Sequence, residues 1–210
     1  MNTQGVFASQ EGEGFMWCVE VHRVMGDETP SFRMTYGGYL QLDSLLGLQT
    51  GPEGYAPAPS NDELHFIVVH QTFELWFKQV LRELKEARDL MISDRVEEIT
   101  VPKIVHHLER VSEIFRLLAD QWKVMETLTP QDFLGFRDRL GTSSGFESWQ
   151  MREMEVLLGL ENEQRMGGMD PLAHMEKLAG EGKVPATALA DFHATHSLPS
   201  LNNALMAWLG

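Results

Sequence analysis

One stretch decides how the rest of the chain is interpreted: Phe66-Ile67-Val68-Val69-His70-Gln71-Thr72-Phe73-Glu74-Leu75-Trp76-Phe77-Lys78. At about 3.6 residues per turn, a helix over this stretch places Phe66, His70, Phe73 and Phe77 on one side. The pattern predicts a buried helix that carries one histidine on an apolar face. A histidine walled by aromatic rings has few water partners, so it needs a specific hydrogen-bond partner or a ligand.

Helical periodicity extends over most of the chain, and no alternating strand pattern competes with it over any length. Asn61 or Asp62 is predicted to cap a long helix that runs to about Ser93, and a second long helix is predicted from about Pro102 to Thr127. Shorter helices are predicted near Thr35, from Thr129-Pro130 to Gly141, from Ser143 or Ser144 to Gly159, and around residues 170–179, 185–195 and 199–209.

These elements predict an all-α fold, a helical bundle built on two long antiparallel core helices with shorter flanking helices. Residues 1–33 are weakly periodic and are assigned as an N-terminal arm. Residues 34–210 are assigned as the helical domain.

The composition limits the classes of function. Lys and Arg total 17 against 31 Asp and Glu, and the formal charge of −14 repels phosphate backbones and anionic membranes. No run approaches the roughly 18 apolar residues of a membrane span, and the N-terminus lacks a signal-peptide pattern. Cys18 is the single cysteine, so no intrachain disulfide is possible. We expect a cytoplasmic protein with no nucleic-acid or membrane partner.

The segment TPQDFLGFRDRL contains a candidate anion-binding residue. Phe133 and Arg137 are four residues apart and are predicted to share a face of a short helix. A guanidinium group can hold a carboxylate through two parallel hydrogen bonds. A surface charge cluster of Arg137 or Arg139 with Asp138 is the alternative, and the segment alone favours it.

Other candidates also have a structural alternative. His70 could be a core histidine that a backbone carbonyl or a carboxylate satisfies. The hydroxyls of residues 142–148 could form an anion site at a helix start or simply cap the helix. Tyr36 and Tyr39, with glycines between them, could form two aromatic walls or a packed helix start. The pairs His106-His107 and His193/His196 are interpreted as structural or surface residues. The first pair points to different faces of a helix, and the second has no third ligand in a recognisable pattern.

Four segments, taken together and in order, resemble tryptophan 2,3-dioxygenases: residues 35–40, 63–78, 126–138 and 143–159. The resemblance covers roughly residues 33–210. It implies an all-α protein that binds haem b and assembles as a homotetramer. It also implies an oxidoreductase of tryptophan catabolism, in the kynurenine pathway, that uses an aromatic amino acid and O₂.

The resemblance also implies roles for individual residues. His70 matches the distal histidine that hydrogen-bonds the indole N–H, Phe66 matches an aromatic wall, and Arg137 matches the arginine that binds the substrate carboxylate. Tyr36, Tyr39 and Leu40 match residues that enter a neighbouring subunit's pocket, and Thr142, Ser143 and Ser144 match the loop that borders the haem.

The chain departs from the family pattern at two places. Phe133 occupies the position of a tyrosine that helps to hold the carboxylate, and the lost hydroxyl should weaken binding by about 1 kcal/mol. No residue maps onto the proximal haem-iron histidine, which in the family lies in a later helix, so the metal ligand is unassigned. We expect a C-terminally incomplete relative, with a complementing C-terminal chain as an open alternative partner.

The expected function is a haem-dependent dioxygenase that cleaves the indole C2–C3 bond of L-tryptophan or a close derivative, giving an N-formylkynurenine-type product. One alternative is a haem-free module that binds an aromatic amino acid. The other is a haem-dependent mono-oxygenase of such an amino acid, which would add one oxygen atom instead of two.

Overall fold

The computed structural model describes residues 34–51, 57–93 and 96–210, and for Met166 the backbone only. The predicted arm, residues 1–33, lies outside the described residues. Contacts divide the chain after Leu42 into two units, and the described residues of the first are 34–42. The domain boundary at residue 33 stays a prediction.

The described residues form α-helices and 3₁₀ turns and contain no strand, which confirms the all-α fold. The α-helices are α1 (Tyr36–Leu40), α2 (Leu42–Leu45), α3 (Asn61–Met91), α4 (Val101–Met125), α5 (Pro130–Leu134), α6 (Trp149–Leu158), α7 (Pro171–Gly180), α8 (Ala186–His196) and α9 (Leu201–Leu209).

The two long helices α3 and α4 pack against each other in opposite directions. Gln121, near the end of α4, donates its side-chain amide to the Val69 carbonyl in the first half of α3 at 3.1 Å. Ile104, near the start of α4, packs with Met91 at the end of α3. Apolar residues recur along both helices at helical spacing, so burying the two stripes against each other stabilises the pair.

Three apolar clusters form the core of the second unit. The first joins α3, α4 and α6 through Val80, Leu81, Leu84, Val111, Ile114, Leu118, Met154 and Leu157. The second joins the α3–α4 turn region to α9 through Ala87, Met91, Ile104 and Ala204. The third joins α7 and α8 through Met175, Leu178, Val184 and Phe192. Leu108 and Leu201 pack against both the first and the second cluster.

The helix ends follow capping chemistry, but several differ from the sequence expectations. α6 begins at Trp149 behind the Ser148 cap, and not at Ser143 or Ser144, because residues 145–147 form a separate 3₁₀ turn. Ser60, and not Asn61 or Asp62, caps α3 by accepting a hydrogen bond from the Glu63 amide at 3.1 Å. Thr129 caps α5 in a capping box with Asp132 as expected, but α5 ends at Leu134. Residues 137–140 then form a separate 3₁₀ turn that stops at Gly141.

Gly159 ends α6 in a left-handed conformation with φ of 88°. A Cβ atom at this position would lie 2.6 Å from the Ser200 hydroxyl oxygen. Ser200 in turn caps α9 by accepting from the Asn203 amide at 3.1 Å. The absence of a side chain therefore permits the end of α6 and the start of α9 to approach closely.

A buried carboxylate lies between α3 and α4. Glu83 is 3% exposed and accepts hydrogen bonds from Gln79 at 2.5 Å, from His107 Nδ1 at 2.5 Å and from Arg110 Nη1 at 2.6 Å. Arg110 also contacts His106 Nε2 at 2.7 Å. Burial acts to raise the pKa of Glu83, but its three donors outweigh it and hold the pKa below the ordinary value. We call these residues the Glu83 cluster.

A second buried carboxylate joins α3, α6 and α8. Glu153 is 5% exposed and accepts from the Thr195 hydroxyl at 2.6 Å while pairing with Lys85 at 2.6 Å. These contacts satisfy the buried charge and fix three helices in one arrangement. In the part of the chain that the structure describes, no helix combines the length and the apolar composition needed to cross a membrane.

Candidate functional site

A cavity of about 700 Å³ opens between α3, α4, α6 and the segment before α6. Aromatic and aliphatic side chains dominate its walls, as is usual for a site that takes a flat apolar ligand. The lining residues are Val69, His70, Phe73, Glu74, Phe77, Phe115, Leu118, Ala119, Trp122, Met125, Ser144, Gly145, Phe146, Ser148, Met151 and Arg152.

His70 lines the cavity from α3 and is exposed, so the expectation that it is buried was wrong. Its Nδ1 lies 2.8 Å from the Phe66 carbonyl oxygen one turn earlier. A carbonyl oxygen only accepts, so Nδ1 donates, and a neutral imidazole then carries its lone pair on Nε2. The backbone contact that sequence analysis proposed as a structural alternative is present, and it also leaves Nε2 without a protein partner among the described residues.

Phe66 and Phe133 lie together beside His70. The Phe66 ring centroid is 4.0 Å from that of His70 and 5.9 Å from that of Phe133. Phe136, only 3% exposed, completes this group at 5.5 Å from Phe66 and 5.4 Å from Phe133. Phe66 and Phe133 are not among the cavity-lining residues. Phe66 contacts the imidazole and Phe133 contacts Phe66, both at ordinary aromatic distances. The substrate-binding roles of Phe66 and Phe133 stay predictions.

Arg137 and Phe133 do not share a helix, because α5 ends at Leu134. Arg137 begins the following 3₁₀ turn and donates Nη1 to the Gly141 carbonyl at 2.9 Å. Among the described residues Arg137 forms no ion pair, whereas Arg139 pairs with the buried Glu63 at 2.9 Å. An ion pair of Arg137 with Asp138 is absent from the described contacts, and the carboxylate-binding role of Arg137 stays a prediction.

Of the three residues before α6 that were predicted to border the haem, only one lines the cavity. Ser144 lines the cavity, while Thr142 and Ser143 do not, and the Ser143 hydroxyl donates to Leu140 at 2.6 Å. The segment is tied to later elements: His174 Nε2 lies 3.3 Å from the Phe146 carbonyl, and Lys183 pairs with Glu147 at 2.9 Å. Hydrogen bonds with Glu147 and Glu181 raise the pKa of Lys183.

Tyr36, Tyr39 and Leu40 belong to the first unit, where they form α1 behind the Thr35 cap. Their side chains are exposed, and the tyrosines are 78% and 73% exposed. Exposure of this kind is compatible with contact to another subunit, and the predicted role of these three residues stays a prediction.

Two charged side chains in the cavity wall were missed by sequence analysis. Glu74 follows His70 by one helical turn, and its carboxylate accepts from the Gln150 amide at 2.8 Å. Arg152, on α6, is 6% exposed. The i,i+4 spacing of Glu74 from His70 was visible in the sequence, but nothing there placed Arg152 opposite α3.

The walls suit a flat apolar group with polar edges, and haem has that character. The lining combines aromatic residues with the guanidinium of Arg152 and the hydroxyls of Ser144 and Ser148. His70 is the histidine of the lining, so the described walls assign no second imidazole to an iron. In residues 34–51, 57–93 and 96–210, no three His, Cys, Asp or Glu side chains form a metal-binding group.

Comparison with known proteins identifies the family of this chain. The family model described as tryptophan 2,3-dioxygenase matches residues 23–177, which include every lining residue of the cavity and the end of the predicted arm. The chain belongs to the tryptophan 2,3-dioxygenase family.

Members of the tryptophan 2,3-dioxygenase family are similar to this chain along most of its length. Tryptophan 2,3-dioxygenase 2 of Ralstonia nicotianae is 41% identical over 182 residues, 84% of this chain and 48% of the relative. The Anopheles gambiae enzyme is 37% identical over 196 residues, 93% and 48% of the two chains. The Nocardioides sp. enzyme is 40% identical over 190 residues, 88% and 65%. The chain spans about half the length of the first two of these curated relatives.

Proposed function

We propose that this chain forms the distal part of a haem-dependent dioxygenase site, which inserts both atoms of O₂ across the indole C2–C3 bond of L-tryptophan or a close derivative. The product would be of the N-formylkynurenine type. One observation carries the proposal: His70 presents, in an aromatic cavity, an Nε2 acceptor that bonds to none of the described residues. An indole offers one N–H donor on a flat apolar ring, and it fits such a wall.

The hydrogen bond from His70 Nδ1 to the Phe66 carbonyl supports a specific role for the imidazole. It holds the ring orientation and keeps the proton on Nδ1, so that Nε2 accepts the indole N–H. The Phe66 ring at 4.0 Å limits rotation of the imidazole further. Positioning of this kind lowers the entropy cost of bringing the indole to its reaction partner.

When bound, the haem would supply the O₂ and redox chemistry. The chain's own residues would exclude water and orient the amino acid. Aromatic walls strengthen the few polar contacts inside the cavity, because they replace water. Arg137 would bind the substrate carboxylate with its guanidinium, which one hydrogen bond to Gly141 leaves partly available.

The proposal includes a homotetramer in the cytoplasm. The exposed Tyr36, Tyr39 and Leu40 would contact a neighbouring copy, and Ser144 with its neighbours Thr142 and Ser143 would border the haem. Compared with a tyrosine at this position, Phe133 would weaken binding of the substrate carboxylate by about 1 kcal/mol.

Reconstitution tests the function directly. The purified chain is loaded with haemin, reduced and exposed to CO, and tryptophan is then added under O₂. We expect a CO-dependent shift of the Soret band and a tryptophan-dependent product that has gained two oxygen atoms. A product with one added oxygen would indicate the mono-oxygenase alternative, and tryptophan binding by calorimetry without any haemin binding would indicate the haem-free module.

A ligand pair tests the role of His70. Tryptophan should bind about fivefold more tightly than its N1-methyl derivative, which has no N–H to donate. His70→Ala should remove that preference, while Arg137→Ala should weaken both ligands and leave thermal stability unchanged. A stability loss in Arg137→Ala would identify a structural arginine instead.

A further inference from the structure

One part of the cavity wall is a single turn of chain and not a long helix. Residues 144–148, which we call the wall segment, contribute Ser144, Gly145, Phe146 and Ser148 to the lining. They include the 3₁₀ turn before α6, and two backbone hydrogen bonds inside the segment hold that turn, at 2.9 Å and 3.2 Å. The hydrogen-bond geometry of a 3₁₀ turn is poor, so the position of the wall segment depends on contacts with other elements.

Two described polar contacts join the wall segment to residues that are distant in the sequence. His174 Nε2 donates to the Phe146 carbonyl at 3.3 Å, and Lys183 Nζ donates to Glu147 Oε1 at 2.9 Å. The Phe146 ring is 45% exposed, so burial in the interior does not fix it. Glu147 is the one residue of the segment that does not line the cavity, and its carboxylate is therefore available for the contact with Lys183.

Both donors extend from α7 and the turn between α7 and α8, and both are anchored there. His174 is followed by Met175, whose side chain is fully buried. Lys183 is followed by the buried Val184, and its own amide donates to the Leu178 carbonyl at 2.9 Å. Met175, Leu178 and Val184 all belong to the third apolar cluster. The wall segment is thus attached to a pair of helices that has its own packed interior.

We propose that Lys183 is a positioning residue for the cavity: its ion pair with Glu147 holds the wall segment where that segment closes one side of the ligand site. This inference rests on the proposed function and adds the α7–α8 pair to it as the support of the wall. Lys183 does not line the cavity, so it acts through Glu147. A wall that is ordered before the ligand arrives removes the entropy cost of ordering it during binding.

The exposure of the ion pair separates this positioning role from a general contribution to stability. The side chains of Lys183 and Glu147 are 36% and 23% exposed. Ion pairs that water can reach contribute little to the stability of a whole fold, because water and salt screen them. A local effect on one turn is still measurable when that turn has few other contacts. Loss of the pair should therefore loosen the wall segment and leave the helical core unchanged.

Amide hydrogen exchange, followed by NMR in the ligand-free chain, tests the first half of the inference. The Glu147 and Ser148 amides report on the wall segment, because they form its two internal hydrogen bonds. In Lys183→Met they should exchange about threefold to fivefold faster than in wild type, while the slowest amides of α3 and α4 change little. Lys183→Arg should restore most of the protection.

Lys177→Met is the matched control. Lys177 also lies on α7 and approaches Glu181, at 4.0 Å, but it has no described contact with the wall segment. The exchange rates of the Glu147 and Ser148 amides should therefore stay at the wild-type value in this variant. Glu147→Gln removes the charge of the same ion pair from the other side, so it should reproduce the effect of Lys183→Met and decides the question if that variant does not fold.

Haemin titration, followed by absorbance, tests the second half of the inference. Lys183→Met and Glu147→Gln should each lower haemin affinity by about threefold to fivefold, because part of the binding free energy must then order the wall. Lys183→Arg and Lys177→Met should bind haemin nearly as wild type does. Circular dichroism establishes that each variant is folded.

The inference is overturned if the Glu147 and Ser148 amides exchange at the wild-type rate in Lys183→Met, or if they exchange faster and haemin affinity is unchanged. Equal acceleration of the slowest α3 and α4 amides also overturns it, since the ion pair would then be a general structural contact. A wild-type chain that binds neither haemin nor tryptophan overturns the proposed function and the ligand role of Lys183. Exchange measured without haemin distinguishes that case, because Lys183→Met would still loosen the wall segment.

Discussion

The Glu83 cluster and a second group, in which Arg152 and Arg165 both approach Glu155, place charge inside the same unit but satisfy it differently. We call this second group the Arg152 cluster. Glu83 has three donors at 2.5–2.6 Å from two helices. In the Arg152 cluster, one carboxylate serves two guanidiniums and three polar atoms have no hydrogen bond within the described residues. The first lies in the α3–α4 interface and the second borders the cavity. Completeness of hydrogen bonding thus distinguishes the two clusters.

The largest expected difference between the clusters concerns stability. Glu83→Ala should lower the free energy of unfolding by about 3 kcal/mol, because His107 and Arg110 lose their buried partner. Arg152→Met should change that of the ligand-free chain by about 1 kcal/mol or less, since it removes excess charge and leaves Glu155 paired with Arg165. Urea unfolding followed by circular dichroism measures both. Equal losses would mean that the two clusters have the same structural role.

The pH dependence of stability sharpens the comparison further. The folded pKa of Glu83 lies below its ordinary value of 4.5, so its carboxylate stabilises the fold above that pH. The stabilisation should disappear as the pH falls through the lowered folded pKa. Urea midpoints of wild type and Glu83→Gln should therefore differ at neutral pH and converge as the pH falls below 4.5 and through the lowered folded pKa. Parallel curves over this range would show that the ionised Glu83 carboxylate contributes nothing.

The smallest expected effect concerns Glu153, the second buried carboxylate whose hydrogen bonds are satisfied, and the loss of one of its donors. Thr195→Val removes one of the two donors of the buried Glu153 and should cost about 1.5 kcal/mol. Ser197→Ala is the control, because its exposed hydroxyl bonds only the Ala194 carbonyl at 2.9 Å. Thermal melts of the two variants give the comparison. Identical melting temperatures would indicate that Lys85 alone satisfies Glu153.

Much of the fold could be predicted from local patterns. Apolar periodicity located α3 and α4, and Thr129-Pro130 and Gly159 marked helix ends. The cap of α3 was misplaced by one residue because Ser60, Asn61 and Asp62 are all good caps, and only geometry shows which side chain reaches the Glu63 amide.

Less of the candidate site than of the fold could be predicted from the sequence. The assignment of Phe133 and Arg137 to one helix was wrong because the helix stops at Leu134, and a four-residue spacing has meaning only inside a helix. Phe115 and Trp122 belong by period to the α4 core stripe, yet both line the cavity and are 37% and 56% exposed. Periodicity identifies a face of a helix but not what lies opposite.

Residues that depend on distant contacts could not be found at all. Gln150 reaches Glu74 across 76 positions of sequence, and Arg152 enters the cavity wall only because α6 packs on α3. No local pattern records such a pairing. The tautomer of His70 likewise depends on the direction of one side chain toward the Phe66 carbonyl.

The glycine at the end of α6 has a consequence for the whole helix assembly. Because a Cβ atom on residue 159 would lie 2.6 Å from the Ser200 hydroxyl oxygen, any larger residue at position 159 would displace the first turn of α9. Leu201, the next residue, packs into two apolar clusters at once, so a displacement of this one turn would loosen both together. The hydrogen atom of Gly159, in place of a methyl group, thus sets the distance between α6 and α9 on which the packing of both apolar clusters depends.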